Sequence, residues 1–348
     1  MKLLLLWLGA LLALLAASET YGYISGLPLK EHVKTTHTLH LKGGEVRRYV
    51  SLEYLARDLN AVEGQIDRVE TNDYATGEKI DAKTAVYVLA STLSNPLTRY
   101  PKIAFGSEKN ADAFIAKHGG DKRSFNFALT VAERDAASDD KAGAPLQEKA
   151  YERGQKLYER VCKNAPDPIG FNTIAQLKEA LLAGSCSRLG EVRLHDLALF
   201  LWDKKRFNQE AGTKSDRLAV PEGAKCPVCG MFVSKYPKWA AKLSFSGGHE
   251  HYFDGAKDFF KYYFSPKRYG GTHGQPTELI VTDYYTLKAI DAKKAWYVIG
   301  SDVYGPMGHE LIPFERKSDA QGFMHDHHGK RLLRFEEITE DAVWALDR

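Results

Sequence analysis

Polar and apolar residues alternate over 239–245 and again over 249–253, with Gly247-Gly248 between them, which predicts two antiparallel strands joined by a tight turn. Apolar positions then recur at helical spacing over 256–264, and the pattern stops before Pro266. Strand-like stretches follow at 278–284, 295–299 and 310–314, then a capped helix over 318–327 and a closing strand over 331–335. The order strand, strand, helix, strand therefore occurs twice, and the expected fold is α+β, built from paired ββαβ units. Between about residues 146 and 207 the period is helical instead, at 151–158, 173–182 and 194–202. Residues 137–148, rich in Asp, Ala, Gly and Lys, predict a linker before that segment, and 208–218 a second polar linker after it.

The strand pattern also repeats along the chain. Lys79-Ile-Asp-Ala-Lys-Thr-Ala-Val-Tyr-Val-Leu-Ala-Ser91 matches Ala289-Ile-Asp-Ala-Lys-Lys-Ala-Trp-Tyr-Val-Ile-Gly-Ser301, and Asp73-Tyr74 falls on Asp283-Tyr284 in the same register. With small slippage Phe105, Phe114 and His118 fall on Phe314, Phe323 and His327, and Gly43-Gly44 on Gly247-Gly248. The expected organisation is a leader over 1–20, a first half over 22–136, a helical segment over 146–207, and a second half over 218–348.

The leader changes where the chain is expected to work. Met1-Lys2 precedes an unbroken apolar run from Leu3 to Ala17 and then small and polar residues, the pattern of a secretory signal and short for a membrane-spanning helix. Export to the periplasm is expected, with membrane attachment only through an uncleaved signal. No cysteine lies near the cleavage region, so a lipid anchor is not expected. The formal charge of +3 over 348 residues, with no long block of one sign, gives no reason to expect a nucleic-acid partner. In an oxidising compartment each of the four cysteines, Cys162, Cys186, Cys226 and Cys229, has to be paired, metal-bound or protected.

The chemistry concentrates in Cys226-Pro-Val-Cys229-Gly230-Met231, where two thiols and a thioether share one turn. Soft sulfur donors select Cu(I) or zinc, and a thioether tilts the choice to copper. Apart from Met1, the methionines are Met231, Met307 and Met324, and Met307 stands in the glycine-rich Gly305-Pro-Met307-Gly-His309. In the first half the motif aligns with Gly22–Leu27 and Met307 with Leu97 or Thr98, so one half retains the scaffold without the soft donors. His309 is a further candidate ligand. His249 and His251 share one strand face, and His325 and His328 belong to a local His-rich patch; these four are candidates for an accessory metal site.

Taken together, these residues resemble the NosL family. The likeness rests on Cys229-Gly-Met231 after a Cys-x-x spacing, Phe253-Asp254, Val281-Thr-Asp-Tyr284, Ile290-Asp-Ala292, Ala295-Trp-Tyr-Val298, Gly300-Ser301, Met307-Gly308, Phe323 and His328-Gly329. The resemblance implies a Cu(I) metallochaperone, not an enzyme. Copper would be held by Cys229 and Met307, with Cys226, Met231 and His309 as further donors. Its partner would be an apo copper enzyme, nitrous oxide reductase, with a membrane copper exporter or assembly complex as a further one. The chain departs from the family pattern in its two copies and in its middle segment. That segment weakly resembles a small cytochrome c without the haem motif, and a Cys162–Cys186 disulfide is expected to staple it. Two other readings stay open at this point: a thiol-disulfide oxidoreductase using Cys226 and Cys229, and a scaffold or docking protein that binds no metal.

Overall fold

The computed structural model describes residues 18–206 and 216–348, apart from 94, 96, 185, 187, 272 and 273; the apolar leader at 1–17 and most of the second linker lie outside the described residues. The fold is α+β. The chain forms two compact units, divided between Arg206 and Phe207.

In the first unit, β1 (His37–Leu41), β2 (Val46–Tyr49), α1 (Leu52–Leu59), β3 (Ile66–Asn72) and β4 (Lys79–Asp81) form the first layer, its sheet ordered β2-β1-β3-β4. The second layer is β5 (Val86–Leu89), β6 (Ile103–Phe105), α2 (Glu108–His118) and β7 (Asp121–Arg123), with sheet order β6-β5-β7. Helix α2 forms where the sequence caps it: the Ser107 hydroxyl accepts from the Asn110 N–H at its start. Leu52, Leu55 and Ala56 of α1 pack on Leu39, Tyr49 and Val69 of the sheet.

From there α3 (Phe125–Arg160) runs without interruption through the segment whose composition predicts a linker, with Pro145 inside it. Both ends of this helix are held by packing. Ala128 and Ala132 enter the core of the first half, Lys102 reaches Asp135 at 2.8 Å, and Arg57 pairs with Asp140. Further along, Leu157 enters a second core, formed with α4 (Ile174–Ala183) and α5 (Glu191–Leu199). At Gly154 an added Cβ would lie 2.2 Å from the Asp196 carbonyl, so close approach to α5 requires glycine there. Cys162 and Cys186 are bonded, their Cα atoms 5.7 Å apart. Helix α3 thus belongs to both cores, and tertiary contacts at its two ends override the cost of an internal proline.

The second unit repeats the first half. It holds β8 (Ala241–Ser244), β9 (Glu250–Phe253), α6 (Ala256–Phe264), β10 (Glu278–Thr282) and β11 (Ala289–Asp291), in sheet order β11-β10-β8-β9. Then come β12 (Trp296–Ile299), the hairpin of β13 (Tyr304–Gly305) and β14 (Gly308–His309), β15 (Ile312–Phe314), α7 (Lys317–Asp326), β16 (Arg331–Arg334) and α8 (Glu340–Ala345). The alternation in β8 buries Ala241 and Leu243 and leaves Lys242 to pair with Glu250 and Glu278 on the outer face, at 3.2 and 2.9 Å. Register is shared with the first half: Ala241 opposes Phe253 where His37 opposes Tyr49. The helix predicted to begin at Ser318 starts at Lys317, where Arg316 binds Asp319 in place of a serine cap.

One aspartate per half locks the two layers of that half together. Asp73 accepts from the N–H groups of Ala75, Thr76 and, across the layers, Gly106. Asp283 accepts from Tyr285, Thr286 and Glu315 in the same way. That is why Asp-Tyr is among the pairs that survive in both copies. Among the described residues no helix is long and apolar enough to cross a membrane.

The first unit also contains a buried neutral histidine. His37 Nδ1 lies 2.9 Å from the Thr35 carbonyl and so carries the proton, leaving Nε2 to accept from the Tyr87 hydroxyl at 3.0 Å. Burial lowers its pKa from 6.5 to about 4. The unfolded chain protonates near the ordinary value, so the stability from neutral His37 is complete above that value and is lost as pH falls from it toward 4. The loss amounts to about 3 kcal/mol. Denaturant unfolding at pH 7 and pH 4 should show wild type losing about that much more than His37→Gln; equal losses in the two proteins would contradict this account.

Candidate functional site

The Cys226–Met231 turn is closed by its own backbone. Cys226 donates to the Met231 carbonyl at 2.9 Å, Gly230 donates to the Cys226 carbonyl at 2.9 Å, and Lys225 bridges to Phe232. Gly230 sits at φ +80, a left-handed conformation that makes glycine the residue of choice. The turn thereby points both thiols at the start of α6. That helix brings Asp258 in its first turn, and the tight Phe253-Asp254-Gly255 connection brings Asp254. One donor atom from each of Cys226, Cys229, Asp254 and Asp258 lies within 4.8 Å of the others. Among the described residues this is the one place where three or more Cys, His, Asp or Glu donors converge.

The Cys226 thiol donates to Asp258 Oδ2 at 3.4 Å, and the Cys229 thiol donates to Asp254 Oδ1 at 3.1 Å. Asp254 and Asp258 are 1% and 2% exposed, yet Asp254 Oδ2 is buried without a hydrogen-bond partner. A buried carboxylate oxygen left in that condition is costly unless something binds it. Burial, with the Asp258 charge beside it, raises the Cys226 thiol well above the ordinary range. Burial and the Asp254 contact push the Cys229 thiol up to about 12. The amino end of α6 favours the two carboxylates electrostatically.

Beside this cluster stands the β13–β14 hairpin. Pro306 and Met307 form its two-residue turn, and Met307 is 46% exposed. The Met307 carbonyl accepts from Lys257 Nζ at 2.7 Å, and Glu310 accepts from the Lys257 backbone N–H at 2.9 Å. Burial pushes Glu310 up to about 8. Met231 closes the cysteine turn through its carbonyl. His309 is not gathered into the four-donor cluster; its ring lies on Tyr304 at 4.8 Å.

The other histidines stand elsewhere. His249 is exposed at the β8–β9 turn. His251 packs on Phe245 and Tyr262 at 5.5 and 4.9 Å, a core-lining role. His325 is 7% exposed within α7, and His328 follows that helix at φ 53. None of the four enters a converging set of donors.

Sequence reading missed Asp254 and Asp258, although the signal existed. In the shared register they align with Val50 and Tyr54, so carboxylates stand where the first half has an apolar side chain and a tyrosine. The first-half turn keeps the geometry: Gly22 donates to the Leu27 carbonyl at 2.8 Å, Gly26 donates to Gly22 at 2.8 Å, and Tyr21 bridges to Pro28. A Cβ at Gly22 would lie 2.5 Å from Ser25 Oγ and 3.1 Å from Val50. Gly22, Ser25, Val50 and Tyr54 thus occupy the four donor positions with no thiol and no carboxylate among them. That turn is also covered, with Lys178 Nζ donating to the Gly26 carbonyl at 2.7 Å.

Fold and site together define an α+β protein with tandem halves and, among the described residues, one cluster of two thiols and two carboxylates. The family model of NosL matches residues 16–128 and 217–343, and the chain belongs to the NosL family, in tandem copy. It is similar to the copper-binding lipoprotein NosL of Stutzerimonas stutzeri, 27% identical over 139 residues, which is 38% of this chain and 70% of that protein. It is also similar to the crystal structure of the copper chaperone NosL from Shewanella denitrificans, with 26% identity, 37% of this chain and 99% of that chain covered, and a TM-score of 0.32.

Proposed function

We propose that the protein is an exported copper metallochaperone whose second unit carries one Cu(I) ion and passes it to an apo copper enzyme, nitrous oxide reductase being the target the family favours. The observation that carries this reading is the convergence of Cys226 and Cys229 with Asp254 and Asp258 in one half, against Gly22, Ser25, Val50 and Tyr54 in the other. Copper is the cargo. Cu(I) is a soft ion, so the two sulfurs are its natural donors, with the Met307 thioether as a third. Loading displaces the thiol protons, and the carboxylates that accept the S–H bonds are the groups that take those protons up. Half-exposed Cys229 and exposed Met307 leave an open side from which an acceptor's ligands can take the ion. Cys226 would be the buried donor of the pair, and Met231 and His309 are proposed as further donors. An exporter or assembly complex in the membrane would supply the copper, and the apolar leader together with a relative named as a lipoprotein supports work outside the cytoplasm.

A thiol-disulfide enzyme needs a readily ionised cysteine; here burial and carboxylates act the other way on both thiols. The reading of the protein as a non-enzymatic carrier also accords with a relative named as a copper-binding lipoprotein. Anaerobic Cu(I) titration against a chromogenic chelator should give one tightly held ion per chain, and the loaded protein should metallate apo nitrous oxide reductase. A stoichiometry of two would overturn the assignment of a metal-free first half. Absence of tight binding would overturn the carrier role itself.

A further inference from the structure

The hairpin that presents Met307 is fastened to α6 at two points, and both belong to one residue. Lys257 is 1% exposed; its ammonium donates to the Met307 carbonyl at 2.7 Å, and its backbone N–H donates to Glu310 at 2.9 Å. The ammonium is also paired with Asp347, at 3.0 Å. Asp347 is shared with Lys261 at 2.8 Å, and Lys261 lies 3.5 Å from Asp258. Lys257 thus stands between the hairpin and the helix turn that bears Asp258, in direct sequence neighbourhood with one member of the donor cluster. Gly255 makes room for this arrangement, since a Cβ there would lie 2.7 Å from Glu310 Oε1.

The first half provides the comparison. At the position of Lys257 it has Glu53, which pairs with Lys102 at 3.0 Å, reversing the sign of the buried charge. Among the described residues between β5 and β6 none is in a strand. The fastening lysine therefore occurs in the half that has thiols and is replaced by Glu53 in the half that lacks them. A lysine serving only to fill the core would have no reason to follow the ligands in this way.

We infer that Lys257 is a positioning residue for Met307: it fixes the hairpin turn so that the thioether reaches the edge of the Cys226–Cys229 cluster, and Asp347 near the C-terminus holds the ammonium in place. This rests on the copper reading above and adds how the third sulfur is kept available. Hydrogen-bonding groups behind a ligand typically alter metal affinity by about 10- to 100-fold.

The test is a double-mutant cycle on Cu(I) affinity in the full chain, using Lys257→Gln, which removes the charge without adding a sulfur, and Met307→Leu. Lys257→Gln should weaken Cu(I) binding by about tenfold or more, and should add nothing when Met307 is already leucine. X-ray absorption of the copper-loaded Lys257→Gln protein should show one sulfur neighbour fewer than wild type, and Lys257→Arg should restore part of the affinity. Independent, additive losses would overturn the positioning role, as would a Lys257→Gln protein with wild-type affinity alongside a weakened Met307→Leu. If instead Cys229→Ser leaves affinity unchanged, the copper reading fails, which the cycle alone does not test. Thermal unfolding of each variant separates a local loss of the hairpin from loss of the whole unit.

Discussion

Cys229→Ser is expected to abolish tight Cu(I) binding, lowering affinity by more than the roughly 100-fold upper range of changes behind a ligand. The substitution exchanges one atom. A serine hydroxyl is a hard, scarcely ionised donor, so a soft monovalent cation loses its accessible sulfur while the side chain keeps its shape. The fold should be undisturbed, because the first half already makes this experiment. Ser25 occupies the corresponding position, in a turn whose Gly22–Leu27 and Gly26–Gly22 bonds match those of Cys226–Met231 and Gly230–Cys226. A serine there can keep the hydrogen bond to Asp254 that the thiol makes at 3.1 Å. Chelator competition under anaerobic conditions, beside a thermal melt, separates lost metal from lost fold. Retained affinity in a well-folded Cys229→Ser protein would remove the central residue of the proposed site. Asp254→Asn should cost less, since it removes charge and leaves both sulfurs.

The features legible in the sequence were the local ones and the repeated ones. Alternation located β8 and β9, and the Gly247-Gly248 pair marked their turn, because a half-buried strand has a period of two whatever surrounds it. The cysteine turn was legible because its bonds are made within six residues. The carboxylates were not. Asp254 and Asp258 stand where polar residues usually open a helix, and nothing local distinguishes a capping or dipole role from a metal-facing one. Only the turn carrying the thiols, folded onto α6, gives them their second role. The continuous α3 was hidden for a related reason. Gly143 and Pro145 are local breakers, and the contacts that override them, such as Lys102 with Asp135 and Leu157 with the second core, come from distant residues.

His251 shows what comparing the halves adds to a reading based on residue type. As a histidine sharing a strand face with His249 it is a plausible ligand; its place in the fold is that of Arg47. Tyr262, on which it packs, takes the place of Asp58, and Phe253 that of Tyr49. One copy fills these positions with an ion pair and the other with aromatic rings.

Breaking that ion pair should be the most damaging single change to the first unit. Arg47 Nη1 meets Asp58 Oδ1 and Oδ2 at 3.0 and 2.8 Å, Asp58 is fully buried, and the Tyr49 hydroxyl also donates to it. Arg47→Met leaves that carboxylate in the core without its cation, a change that typically costs about 3–5 kcal/mol. Restoring the cation is not the only remedy. Replacing Arg47, Tyr49 and Asp58 together by His, Phe and Tyr installs the set already packed in the second unit, so the triple variant should recover most of the loss. Denaturant unfolding reports this as a low midpoint for Arg47→Met and a near wild-type midpoint for the triple variant. Cu(I) affinity should be unchanged in both, because the thiols and carboxylates belong to the other unit. A triple variant as unstable as Arg47→Met would mean that the two halves share a backbone and a register without sharing interchangeable cores.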